Sequence, residues 1–166
     1  YKSGLNIPVL YDCDIKEQQL VMSNVPGRPL IELLNDDSID DATMMKHLQS
    51  AGYSIRMLHR QAIVHGDLST NNIMITPSGE AVLIDFGLAK IEFETELYGI
   101  DLHVLFEILG ASHPHRENAM EAVLQGYKQC EQDLGTAAKT PGGDPVCMED
   151  VIERFDLIRT RVRYHG

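Results

Sequence analysis

The reading turns on His65-Gly66-Asp67-Leu68-Ser69-Thr70-Asn71-Asn72, then Ile73 to Ile84, then Asp85-Phe86-Gly87. Ile73–Thr76 and Ala81–Ile84 are short apolar runs around Pro77-Ser78-Gly79-Glu80, the pattern of two strands joined by a turn. With the turn centred between Ser78 and Gly79, Ile73 faces Ile84 and Asn72 faces Asp85. Opposed residues of an antiparallel pair lie about 4.5–5.5 Å apart at Cα. The open end of the hairpin then presents an amide oxygen and a carboxylate side by side, with Asp67 on the loop leading in. Hard oxygen ligands placed this way suit Mg²⁺, which leaves positions open for water and phosphate. A further carboxylate within reach accepts a proton from an attacking hydroxyl, as phosphoryl transfer requires.

The rest of the chain builds a frame around that stretch. Ile7–Asp12 and Gln19–Met22 read as two strands around a polar turn at Asp14–Gln18. Pro26, Gly27 and Pro29 end the second strand and begin a connector. Met45, Leu48, Ala51, Ile55, Leu58 and Ala62 step by three and four, the helix period, with Ser38 or Asp40 as cap. Asp36, Asp37, Asp40 and Asp41 stand where carboxylates favour a helix's positive end. Leu102–Leu109, Arg116–Leu134 and Met148–Arg163 read as further helices, and Asp101 as a cap for the first. Thr140-Pro141-Gly142-Gly143-Asp144-Pro145 reads as an exposed loop. Few strands followed by helices define an α+β fold dominated by helix.

Composition narrows the function classes. The 166 residues carry 14 Lys plus Arg against 25 Asp plus Glu, a formal net charge of −11. That balance argues against a general nucleic-acid coat or an anionic-membrane binder. Hydrophobic residues are 43% of the chain, an ordinary globular share. No apolar run approaches the roughly 20 residues of a membrane span. Cys13, Cys130 and Cys147 are dispersed, form neither metal knuckle nor disulfide framework, and suit a reducing compartment.

Ile63-Val64-His65-Gly66-Asp67 through Asn72, with Leu83-Ile84-Asp85-Phe86-Gly87, resembles the catalytic loop and metal-binding motif of the protein-kinase superfamily. The resemblance makes Asp67 the catalytic Asp and Asn72 and Asp85 the Mg²⁺ ligands. Val21-Met22 and Ser23-Asn24-Val25 resemble the hinge that binds adenine, so Met22, Ser23 and Val25 join Asn72 and Asp85 as candidate ATP-binding residues. The implied fold is kinase-like: residues 1–25 as a remnant of the N-terminal lobe and hinge, and 26–166 as the helical C-terminal lobe. Asp101 becomes a brace for the catalytic loop, and His65 likewise a structural brace.

Gly66 replaces the usual arginine, and about a dozen residues separate Gly87 from Asp101, little room for a phosphorylated activation segment. Gly99-Ile100-Asp101-Leu102-His103-Val104-Leu105, Ser112-His113-Pro114 and Gly126-Tyr127 resemble the small atypical kinase family of the KEOPS complex. That resemblance implies a Ser/Thr kinase and ATPase, with protein substrates, that supports the threonylcarbamoyl-transferase subunit in tRNA modification. It implies KEOPS subunits as partners, no membrane, and a cytoplasmic or nuclear location. Arg159, Arg161 and Arg163, with Arg154 a turn earlier, complement a helix's negative end or contact tRNA. The glycine-rich loop, strand lysine and helix glutamate of kinases are not found in these residues, and Lys2 lies outside any strand pattern. Small-molecule phosphotransferases share His-Gly-Asp and a following Asn and Asp, and a non-catalytic kinase-shaped scaffold is the reading from a different class.

Overall fold

A computed structural model describes residues 4–140 and 143–162. Arg163, Lys2, Pro141 and Gly142, singled out above, lie outside the described residues. The elements in chain order are β1 (Leu10–Asp14), β2 (Gln19–Met22), β3 (Arg28–Pro29), α1 (Leu30–Leu34), α2 (Asp41–His59), β4 (Ile63–Val64), β5 (Ile73–Ile75) and β6 (Ala81–Leu83). Then come β7 (Lys90–Ile91), α3 (Thr95–Ser112), α4 (Ala119–Leu134) and α5 (Met148–Val162). The strands form three small antiparallel sheets, β1-β2, β3-β5-β6 and β4-β7. Helix dominates, as an α+β fold requires.

α2 is the axis of the structure. Asp40 caps it, accepting from the Thr43 amide at 2.9 Å. Leu48, Ala51, Ile55 and Leu58 are all buried, so its apolar stripe does face the core. Ser50 and Ser54 stitch α2 to the sheet at one residue: Ser50 Oγ accepts from the Ala81 amide at 2.8 Å, and Ser54 Oγ donates to the Ala81 carbonyl at 2.8 Å. Arg56, 1% exposed, holds Glu131 of α4 at 2.8 Å and the Val146 carbonyl ahead of α5 at 3.2 Å.

α2 crosses α4 at two glycines. A Cβ on Gly52 would lie 1.8 Å from the Val123 carbonyl oxygen, and one on Gly126 would lie 1.8 Å from the Gln49 oxygen. Both contacts are to backbone, so the helices themselves would have to separate. Gly126→Ala gains about 1 kcal/mol of helix propensity and loses more to overpacking, about 3 kcal/mol. The expected outcome is an unfolding midpoint lower by about 4–8 °C in the full-length protein, measured by thermal melting.

Three features depart from the sequence reading. The hairpin register is offset by one: Ile73 pairs Leu83, Met74 pairs Val82 and Ile75 pairs Ala81. Its loop is the three residues Pro77-Ser78-Gly79, closed by the Thr76 amide on the Glu80 carbonyl at 2.9 Å, with Gly79 at φ +86°. A turn followed by a left-handed glycine takes three residues where the sequence reading allowed two or four. Asn72 therefore faces Ile84, whose amide donates to the Asn72 carbonyl at 3.0 Å, and Asp85 comes one residue later. Second, α3 begins at Thr95, so Asp101 sits inside it and is no N-cap. Third, Arg28–Pro29 pair with β5, and the connector continues into the short α1.

β1 and β2 are exposed along their whole length, apolar Leu10, Tyr11 and Leu20 included. A lone two-stranded ribbon is marginal in water. Its flanks are tied down, the Ser23 amide to the Val9 carbonyl at 2.8 Å and the Leu83 amide to the Asn6 carbonyl at 3.3 Å.

Candidate active site

The loop from His65 to Asn72 is held by groups that come from three directions. Asp101, buried on α3, accepts from the His65 amide at 2.7 Å with one oxygen and from the Gly66 amide at 3.0 Å with the other. Burial works to raise the Asp101 pKa, but the hydrogen bonds from His59 and these two amides outweigh it and hold the carboxyl below its ordinary value. An ionised carboxylate shared between two consecutive amides fixes the peptide plane that enters the loop.

His65 is fully buried and fastens the loop to the stretch after β6. Its Nε2 faces the Ile84 carbonyl oxygen at 3.0 Å, so Nε2 carries the proton and Nδ1 is left to face the Asp67 amide at 3.4 Å. The Phe86 ring packs against the imidazole at 5.1 Å between centroids. Both neighbours of Asp85 are thus gripped by one side chain. Asp85 itself is exposed and stands at φ +61°, a left-handed conformation that non-glycine residues seldom adopt.

Asn72, nearly buried, donates through Nδ2 to the Asp67 carbonyl at 2.8 Å and to Asp67 Oδ2 at 3.0 Å. The structure so brings Asn72 and Asp67 into direct contact. The amide oxygen of Asn72, the second carboxylate oxygen of Asp67 and the Asp85 carboxylate remain to act outward. Asp85 donates nothing and accepts only a 3.3 Å contact from the Gly87 amide. Among the described residues no group of three or more His, Cys, Asp and Glu side chains is placed to hold a metal ion. Asn72 and Asp85 fit a cation that takes few protein ligands, the habit of Mg²⁺ beside phosphate.

Of the other named residues, Met22 ends β2 opposite Leu10 and is half exposed. Ser23 is engaged twice with Val9, its amide on the Val9 carbonyl and its Oγ accepting from the Val9 amide at 2.9 Å. Val25 is half-buried on the connector. Thr70 is fully buried, and its carbonyl accepts from the Ile31 amide at 3.1 Å. Arg159 pairs with Asp156 at 2.9 Å and lies over the Phe155 ring; Arg154 pairs with Glu96 at 3.0 Å; Arg161 is exposed. A cavity of about 910 Å³ between α2, α4 and Gly4–Asn6 touches none of the loop residues. Cys13 and Cys147 are exposed, Cys130 is buried, and all three are free thiols. Among the described residues no helix is long and apolar enough to cross a membrane.

The sequence alone offered no reason for a glycine at 66 and no partner for His59. Gly66 has φ +81°, and a Cβ there would lie 2.5 Å from the Leu88 carbonyl oxygen. His59 is fully buried, and burial pushes its pKa below the ordinary value, as it does for His113. The unfolded chain therefore takes up these protons first. Their contribution is intact above the unfolded value of 6.5 and is lost as pH falls below it toward the folded values. The expected result is a lower unfolding midpoint at pH 5.5 than at 7.5, with the drop reduced in His113→Leu, whose parent ring has no hydrogen-bond partner among the described residues.

A loop braced by a helix aspartate, a short hairpin and an Asp-Phe-Gly stretch are the parts of a kinase-type lobe. The protein kinase domain model matches residues 6–99, and the chain belongs to that family. Within it, the chain is similar to the KEOPS complex subunit Bud32 of Pyrococcus abyssi (strain GE5 / Orsay), 38% identical over 125 residues, covering 75% of this chain and 56% of that protein. The EKC/KEOPS complex subunit BUD32 of Gibberella zeae is 31% identical over 77% of this chain and 55% of that protein. A probable bifunctional tRNA threonylcarbamoyladenosine biosynthesis protein of Methanosarcina barkeri (strain Fusaro / DSM 804) is 31% identical over 98% of this chain and 25% of that protein. The chain thus spans about half the length of the curated KEOPS subunits it matches.

Proposed function

We propose that this chain carries the catalytic loop of a Mg-ATP-dependent Ser/Thr kinase and ATPase that supports a KEOPS-type complex in making threonylcarbamoyladenosine in tRNA. The observation that supports it best is the grouping of Asp67 on Asn72, with Asp85 one residue beyond the strand pair that Asn72 begins. On this reading Asp67 takes the proton from a protein hydroxyl or a water, and Asn72 Nδ2 keeps its carboxylate aimed. Asn72 Oδ1 and the Asp85 carboxylate would hold Mg²⁺, which supplies charge neutralisation at the transferred phosphate. Met22, Ser23 and Val25 would line the adenine site. The Ser23 amide is already bonded to Val9, so the Ser23 carbonyl and the Val25 backbone are the polar groups left for the base. Residues 1–25 belong in this picture to the smaller kinase lobe and 26–166 to the larger.

The partners are the threonylcarbamoyl-transferase subunit and other KEOPS subunits, with Arg159, Arg161 and Arg163 as the tRNA contact and a cytoplasmic or nuclear setting. Replacing those three arginines by Glu is expected to weaken tRNA binding by the complex.

The test is ATP hydrolysis by the full-length protein, alone and with the transferase subunit. Turnover is expected to vanish on chelation and return with Mg²⁺, and Asp67→Asn is expected to lower kcat by about 10²–10⁴. Threonylcarbamoylation that persists unchanged in the complex carrying Asp67→Asn would instead identify a scaffold.

A further inference from the structure

Asp101 grips the catalytic loop, but something must orient Asp101. Its Oδ2 also faces His59 Nε2 at 3.4 Å, and the opposite ring nitrogen, Nδ1, lies 2.8 Å from the Tyr127 hydroxyl. All three residues are at most 2% exposed, on α3, α2 and α4 respectively. A row of contacts therefore runs from α4 through α2 and α3 into the amides of His65 and Gly66.

The direction of the protons in that row follows from charge. Burial keeps the imidazole neutral, so one ring nitrogen is a donor and the other an acceptor. A bare Nε2 would set a lone pair against the Asp101 carboxylate. The favourable arrangement has Nε2–H donating to Asp101 and Nδ1 accepting from the Tyr127 hydroxyl. Tyr127 is well suited to donate: burial raises its pKa, so it keeps its proton, and the Arg56 guanidinium lies 5.5 Å from its ring centroid.

We propose that Tyr127 is a positioning residue for the catalytic loop, its hydroxyl acting with the Asp101 charge to hold His59 in the tautomer and orientation that present a donor to Asp101. It touches neither nucleotide nor acceptor; it acts through His59 and Asp101 on the peptide that carries Gly66 and Asp67. The proposal rests on the catalytic reading of that loop and adds to it a residue 60 positions further along the chain. Tyr98 supplies the internal control. Its ring also packs edge-on against His59, 4.8 Å between centroids, but its hydroxyl donates to the Glu92 carbonyl and not to the imidazole.

The experiment compares Tyr127→Phe and Tyr98→Phe in full-length protein. Ring-nitrogen NMR of labelled histidine is expected to show His59 protonated at Nε2 in wild type and in Tyr98→Phe, and a mixture of tautomers in Tyr127→Phe. The Gly66 and His65 amide protons, held by a charged acceptor, are expected to exchange faster and shift upfield only in Tyr127→Phe. ATP turnover should follow, with kcat down about tenfold and KM for ATP within twofold, against unchanged kcat in Tyr98→Phe. An unaltered His59 tautomer with unaltered loop amides in Tyr127→Phe overturns the proposal, as does an equal response to Tyr98→Phe. The spectra need no nucleotide, so a wild-type protein without ATP turnover would sink the functional reading while the tautomer and amide shifts still decide this one.

Discussion

Asp85→Asn in the full-length protein is expected to lower ATP turnover by about 10³-fold or more, with its unfolding midpoint within a few degrees of wild type. The substitution keeps the size and one oxygen of the side chain and removes only its charge. Asp85 is exposed and its carboxylate accepts nothing but the 3.3 Å contact from Gly87, so folding draws little from that charge. A cation beside phosphates draws a great deal from it. A factor of 10³ corresponds to about 4 kcal/mol of barrier, within what one charged group contributes in a site preorganised for phosphoryl transfer. The conformation points the same way. Asp85 stands at φ +61° although neighbouring Ile84 and Phe86 are both held by His65. A left-handed aspartate costs of order 1–3 kcal/mol, and its own side chain offers only the long 3.3 Å contact from the Gly87 amide against that cost. Steady-state kinetics with Mg²⁺ titration check the prediction. Turnover within tenfold of wild type at saturating Mg²⁺ would remove Asp85 from the metal site.

The site was legible because its parts are close in sequence. Asp67 and Asn72 fall on one loop, where local turn chemistry is enough to bring them into contact, and Asp85 follows the same hairpin one residue beyond the Asn72–Ile84 pair. The register was not legible to the last residue, because Gly79 at φ +86° admits a three-residue loop that the Pro77-Ser78-Gly79-Glu80 string does not single out. α2 was read at its start, with Asp40 as one of two candidate caps, but its stripe was carried to Ala62, whereas the helix ends at His59 and Ala62 sits in the following turn at φ +57°. The first two turns of α3 were missed because of what two of their residues pack against and hold. Gly99 and Asp101 interrupt the apolar pattern there: Gly99 lets Arg154 of α5 approach, where a Cβ would lie 2.7 Å from Arg154 Cγ, and Asp101 turns into the catalytic loop. A polar residue in mid-helix looks like a helix start until the partner it serves, 36 positions away, is in place. The contact between His59 and Tyr127 was not legible for the same reason, since only the glycine-lined crossing of α2 and α4 brings them together.

Gly66→Arg, which puts back the arginine common at this position in the kinase superfamily, is expected to lower turnover by about 10²-fold rather than improve it. Gly66→Ala is expected to do nearly as much. The obstacle is the Cβ and not the charge. At φ +81° any L side chain is strained by about 1–2 kcal/mol, and here the new carbon would sit 2.5 Å from the Leu88 carbonyl oxygen. Two responses are open to the chain, and each damages the site. If the loop yields, the Gly66 amide leaves Asp101, which it reaches at 3.0 Å, and Asp67 moves with it. If Leu88 yields, the turn closed by the Ala89 amide on the Phe86 carbonyl at 3.1 Å opens, and with it the support that follows Asp85. Either shift is of order 1 Å, and misplacement on that scale costs about 100-fold where catalysis is positioning. Leu88 is 67% exposed, so the global unfolding midpoint should change by only a few degrees. The comparison of the two variants carries the meaning. Equal losses in Ala and Arg show that the catalytic loop is held by direct backbone contact with the segment after Gly87. Wild-type turnover in Gly66→Ala, with loss only in Gly66→Arg, would show instead that the loop has room for a side chain and that the added charge is what it rejects.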